Sequence, residues 1–242
     1  MPPLPPTPPP RKAPTFRLRV DDLAHPGVAV FFSAVVPADV LQRAVDASMT
    51  WLYTRETAPT KYVVKSITLI LRAMDGVAHT TGTRTHKEIH LSLDYVLKTR
   101  YHAADEITGV LVHEAVHCFQ HFARGTCPGG LVEGIADFVR LRAGRAPPHW
   151  TRSADGAWDA GYERTAYFLA WLDARGAPTA PEEGTFVRRL NASMRSGAYD
   201  ARIFETLAGQ PVDALWTAYG ASFAAPNKAA PDDVPAEAPP PA

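Results

Sequence analysis

The run Gly109-Val110-Leu111-Val112-His113-Glu114-Ala115-Val116-His117 constrains this chain more than any other stretch. Around it Ile107, Val110, Leu111, Ala115, Phe119 and Phe122 recur at three- and four-residue intervals, so the spacing predicts a buried amphipathic helix over 105–122. Asp105 suits its N-cap or its first turn. On such a helix two histidines four apart project from one face, one turn apart. Both imidazoles then reach a single tetrahedral Zn²⁺, and the glutamate between them lies beside the open coordination position.

Two imidazoles are too few for a hydrolytic zinc site, which takes three protein ligands and keeps a fourth position open. The segment Val132-Glu133-Gly134-Ile135-Ala136-Asp137 follows His117 closely and offers two carboxylates. Leu131, Ile135, Phe138 and Val139 predict a second helix over 131–142, on which Glu133 and Asp137 stand together one turn apart. Glu133 is the expected third ligand, because this carboxylate order after HExxH matches the glutamate-ligand zincins. Asp137 is then expected to accept the second ring N–H of His113 or His117. The reverse assignment, with Asp137 ligating and Glu133 outside, stays open at this point. His121 lies about 12 Å along the axis from His113, too far for both to hold one ion. Gln120 and Ala123 occupy the places of the glycine and third histidine of a metzincin, which excludes that pattern.

The stretch 109–120, with Pro128-Gly129-Gly130-Leu131 running on through Leu141 and with Ala146-Pro147-Pro148-His149-Trp150, resembles the plant basic secretory protein family and its fungal and bacterial relatives. Further matches are Glu88 to Tyr95, Gly161-Tyr162, Thr165-Ala166 and Phe168-Leu169, and the similarity spans about 16–222. The resemblance implies a zincin-like metallopeptidase: Zn²⁺ as cofactor, a peptide or protein as substrate, internal cleavage, and Glu114 taking the proton of a metal-activated water. It implies a substrate-binding edge strand, a role assigned to Ile89, His90, Leu91, Ser92 and Leu93. It also points to Tyr162 as a catalytic donor to the developing oxyanion, with His149 as second candidate. The alternative is a zinc-containing binding or defence protein on the same fold that turns over no peptide.

Composition narrows the partners. The 25 Lys plus Arg balance 25 Asp plus Glu, and no basic stripe with interleaved aromatics occurs, so no nucleic-acid role is expected. No apolar stretch is long enough to span a bilayer, and Met1 to Pro14 lacks the apolar core of a secretory signal, so a cytoplasmic or otherwise intracellular location is the expectation. Cys118 and Cys127 are too few for a disulfide framework. Cys118 reads as a small buried apolar residue, and a bridge between the two would need an oxidising compartment.

The 242 residues suffice for one core, and prolines crowd both ends. The expected organisation is a disordered tail over 1–14, one domain over 15–224 and a second disordered tail over 225–242. Phe16–Val20, Val63–Leu71 and Ile89–Leu93 read as strands, with a turn at Gly82, and Val40–Tyr53 reads as a helix. Helices are expected after the metal pair over Tyr162–Leu172, Phe186–Met194, Ile203–Leu207 and Val212–Phe223. Such segregation is α+β: a small twisted N-terminal sheet, the metal helix, then a helical C-terminal half. Arg188, Arg189 and Arg195, opposite Phe186, Leu190 and Met194, read as a solvated face.

Overall fold

The computed structural model describes residues 14–54, 57–59, 63–176 and 186–223, so the expected tails lie outside it except for Pro14. In β1 (Thr15–Val20) Phe16, Leu18 and Val20 alternate with Arg17 and Arg19. In β2 (Ser66–Arg72) Ile67, Leu69, Ile70 and Leu71 are all buried, as suits a strand inside a sheet. β3 (Ala78–Gly82) and β4 (His86–Ser92) form a hairpin around residues 83–85, with Gly82 at φ +103°. The sheet order is β1-β2-β4-β3; only the β3/β4 pair is antiparallel.

That order corrects the role expected of Ile89–Leu93. Ile89 pairs with Leu69 on one side and Thr80 on the other, so both edges of β4 are already engaged. Leu93 is not in the strand. Ser92 ends it and caps α3 (Leu93–Lys98), its Oγ accepting the Tyr95 N–H at 3.3 Å. Among the described residues the edge strands are β1 and β3, and it is β3, a strand the sequence reading passed over, that lies against α4.

Two helices lie between β1 and β2. α1 (Pro26–Ala34) starts on a proline, with His25 Nδ1 accepting the Gly27 N–H at 3.1 Å; α2 (Pro37–Leu52) buries Val40, Leu41, Ala44, Val45 and Leu52. α4 (Ala103–Phe119) packs against α2, the sheet and α5 (Gly129–Arg142), and is buried almost all round. Asp105 and Glu106 stand in its first turn. The helix stops a turn earlier than the apolar spacing predicts. Gln120 is extended, at φ −69° and ψ 154°, and Ala123 and Arg124 take positive φ, so Phe122 comes out 46 % exposed instead of joining the core.

α5 buries Leu131, Ile135, Phe138 and Val139. α6 (Tyr162–Arg175) approaches it closely because two α5 residues have no side chain. A Cβ on Gly130 would run into the Asp159 carbonyl and stand 3.0 Å from the Gly161 nitrogen; one on Gly134 would run into the Thr165 side chain. Thr165 Oγ1 accepts the Gly161 N–H at 2.9 Å and donates to the Trp158 carbonyl at 2.8 Å, which fixes the corner leading into α6.

The chain continues through α7 (Phe186–Ser193), α8 (Arg202–Ala208) and α9 (Val212–Ala221). Phe168, Phe204, Trp216 and Tyr219 form an aromatic cluster between them and α6. Arg188 is not simply solvated: its Nε donates to the Thr50 carbonyl at 2.9 Å and its guanidinium lies 5.5 Å from the Trp51 ring centre. The class is α+β, with the small sheet in the N-terminal half. Among the described residues no single helix is long and apolar enough to cross a membrane.

Candidate metal centre

α4 and α5 together build a three-atom cluster. His113 Nε2 lies 3.1 Å from Glu133 Oε2 and 3.2 Å from His117 Nε2, and His117 Nε2 lies 3.7 Å from Glu133 Oε2. Ligands about 2.1 Å from a tetrahedral metal ion are separated by about 3.4 Å, close to the sides of this triangle. The helical period puts both imidazoles on one face of α4, and the crossing of α5 brings Glu133 onto them. These are the residues that could hold a metal ion.

Asp137, one turn along α5, stands on the other side of the first imidazole. Its Oδ1 is 2.6 Å from His113 Nδ1, and the carboxylate is almost fully buried. The geometry thus separates the two carboxylates by position: Glu133 faces the Nε2 atoms and Asp137 faces Nδ1. Burial works against charge on His113, but the hydrogen bonds to Asp137 and Glu133 outweigh it and push the imidazole pKa up to about 9. Hydrogen bonds from His113 and His117 hold Glu133 well below the usual carboxylate range.

Glu114 is buried on the cleft side of α4. Thr80 Oγ1 lies 2.7 Å from Glu114 Oε2 and 2.9 Å from the Glu114 carbonyl oxygen, a single hydroxyl donor shared between them. Thr80 belongs to β3, so the edge strand itself holds this carboxylate in place. Nothing in the sequence reading pointed to Thr80.

The cluster opens into a cleft of about 380 Å³ whose walls include His113, Glu114, Glu133 and Asp137 together with Val77 and with Ala78, the first residue of β3. Tyr162 and His149 also line it. Tyr162 begins α6 with φ +49° and is 56 % exposed, whereas Thr165, Ala166 and Leu169 of the same helix are buried. Backbone strain of this kind costs roughly 1–3 kcal/mol and persists where the surroundings impose it. The Glu133 carboxylate, then burial, then Asp137 and Glu114 raise the phenol pKa, so Tyr162 keeps its proton. Residues 89–93 are not among the walls.

A further wall was not anticipated from sequence. Tyr95 donates to Glu106 Oε2 at 2.7 Å, Arg140 Nη2 reaches the same oxygen at 3.4 Å, and the Arg140 guanidinium lies 5.3 Å from the Trp150 ring centre. His121 stays outside the cluster, edge-on to Tyr53 at 6.0 Å. Cys118 and Cys127 are free thiols. Burial pushes Cys118 up to about 12 and Cys127 up to about 11, which keeps both protonated and unreactive at neutral pH.

No curated protein and no solved structure matches the chain. A family model does, over residues 13–219, a span that takes in the sheet, both metal-cluster helices and almost all of the helical half. The chain therefore belongs to the BSP family, the peptidases of plants and bacteria.

Proposed function

We propose that this peptidase is zinc-dependent and cleaves within extended polypeptides. The observation that carries the reading is the His113, His117 and Glu133 triangle, sized for a tetrahedral ion and set beside Glu114 in an open cleft. His113, His117 and Glu133 would hold the ion, with Asp137 fixing the His113 ring. When bound, zinc supplies Lewis acidity that lowers the pKa of a water from about 15.7 toward 7.

The chain's own residues do the rest. Glu114, held by Thr80, accepts the proton of the attacking water and passes it to the leaving amine. Tyr162, protonated and exposed at the cleft, donates a hydrogen bond to the oxyanion as it develops; His149 is the second candidate for that task. The free edge of β3, in place of β4, pairs main chain to main chain with an extended substrate, and this supports internal cleavage with broad tolerance of side chains.

The test is hydrolysis of a mixed peptide library, with products read by mass spectrometry. Wild type should cleave internal bonds, and Glu114→Gln should keep its metal and cleave none. Tyr162→Phe should lose roughly 10²- to 10³-fold in turnover with zinc content unchanged, the loss typical of one oxyanion donor. A zinc-loaded wild type that cleaves nothing in the library, or an active Glu114→Gln, contradicts the proposal.

A further inference from the structure

The cleft does not end at the metal cluster. α4 and α5 run antiparallel: His113 faces Asp137 and, two turns nearer the start of α4, Glu106 faces Arg140. Seven residues of helix, about 10 Å, separate Glu106 from His113. Both line the same cleft, and so does Val110 between them. The cleft thus runs on along α4 past His113, and its far end is the pair of Glu106 and Arg140.

This end is a nearly closed floor. Glu106 is 8 % exposed and Arg140 9 %. Glu106 Oε2 accepts the Tyr95 hydroxyl at 2.7 Å and Arg140 Nη2 at 3.4 Å, and Arg140 Nε donates to the Arg145 carbonyl at 3.0 Å. The guanidinium lies on bare helix, since a Cβ on Gly109 would stand 2.7 Å from Arg140 Nε. Between floor and cluster the walls include Val77, Val110, Pro147, Trp150 and the Tyr95 ring.

Such a recess discriminates by charge and by shape. A cationic side chain that reaches the floor meets Arg140, and an anionic one meets Glu106. Either brings an unpaired charge to an ion pair that is nearly dry. A small side chain leaves the apolar walls uncovered. A flat uncharged ring covers them and can meet Trp150 and Tyr95 in the edge-on or offset contacts that aromatic rings favour. The recess is also within reach: a residue beside the scissile bond has its Cα within about 3.8 Å of the reacting carbonyl, and Val110 stands one turn from His113.

We propose that Tyr95, Val110 and Trp150, above the floor of Glu106 and Arg140, form a subsite that selects an aromatic side chain on a substrate residue flanking the cleaved bond. This rests on the peptidase reading given above. The β3 edge reads main chain and leaves side chains unspecified; the recess specifies one position.

The probe is a short uncharged peptide whose residues are replaced one at a time by Phe, Ala, Lys and Glu. Zinc-loaded wild type gives kcat/KM for each, and calorimetric binding to Glu114→Gln gives the ranking without turnover. At one of the two flanking positions Phe should exceed Ala by about 10- to 100-fold, with Lys and Glu no better than Ala. Trp150→Ala, at a half-buried loop residue, should cut the ratio of Phe to Ala by about 3- to 10-fold. If Glu106 and Arg140 only clamp α4 to α5, the ranking should be flat and Trp150→Ala should not move it. A flat ranking, a preference for Lys or Glu, or an unchanged ratio in Trp150→Ala overturns the subsite while leaving the peptidase intact. The aromatic ranking in binding, with no peptide cleaved by wild type, overturns the peptidase reading and leaves the subsite. Neither cleavage nor ranking overturns both.

Discussion

The three glycines that open α5 and continue into it should behave in opposite ways when each is replaced by alanine. In a helix interior glycine costs about 0.5–1 kcal/mol relative to alanine, so propensity alone predicts stabilisation at all three positions. At Gly129 a Cβ meets nothing within 4 Å, and Gly129→Ala should raise Tm by about 1–4 °C at roughly 2–4 °C per kcal/mol for a domain of this size. At Gly134 the added carbon collides with the branched Thr165 side chain, which Gly161 and Trp158 pin from the other side. Overpacking costs about 1–3 kcal/mol, so after the propensity gain Gly134→Ala should be net destabilising by about 0.5–2 kcal/mol. At Gly130 the obstacle is the Asp159 main chain, which cannot rotate away. Gly130→Ala should therefore lose about 3 kcal/mol or more and displace the corner that presents Tyr162. Thermal denaturation of the zinc-free variants gives the ranking, and peptide turnover at saturating zinc gives its functional counterpart. A Gly130→Ala chain as stable as Gly129→Ala would refute the close approach of α5 to the corner that leads into α6.

Other consequences are open to direct measurement. Thr80→Val removes the donor on Glu114 and should lower turnover by roughly 10- to 100-fold, on the scale of one hydrogen bond to a charged group, with zinc content unchanged. Asp137→Asn should weaken zinc by about 10- to 100-fold; metal competition with a chelator reads it. The pKa of His113 is about 9 in the folded metal-free chain against about 6.5 unfolded, so folding favours its protonated form. That contribution is present in full below pH about 6.5 and is lost as pH rises through about 9, on the order of 3 kcal/mol in all. Denaturant titrations of chelator-treated protein between pH 6 and 9.5 should show the decline, and His113→Asn should flatten it. Zinc loading near neutrality should release a proton from the same site, visible as a buffer-dependent calorimetric heat.

The parts of this molecule that were legible in its sequence are those where large apolar residues recur with the helical period. The α4 and α5 repeats gave both helices, and their internal spacing gave the His113, His117, Glu133 and Asp137 set. What periodicity could not supply was strand order. β3 has only Ala78 and Thr80 on its inner face, so Ala-His-Thr-Thr-Gly carries little apolar signal, yet it takes the edge that was expected of residues 89–93. α1 escaped notice because Pro26 to Ala34 is almost uniformly apolar and shows no polar stripe, and α3 is a six-residue helix created by a serine cap. Thr80 reaches the site through a contact across elements.

Metal content of the purified chain, measured by elemental analysis on wild type, Glu133→Gln and Glu114→Gln in parallel, bears most directly on the zinc centre. The account predicts about one zinc per chain in wild type and in Glu114→Gln and a large loss in Glu133→Gln, in line with three protein ligands of which Glu133 is one. Folded wild-type protein without bound zinc after exposure to the ion, or Glu133→Gln with a full complement, would contradict it.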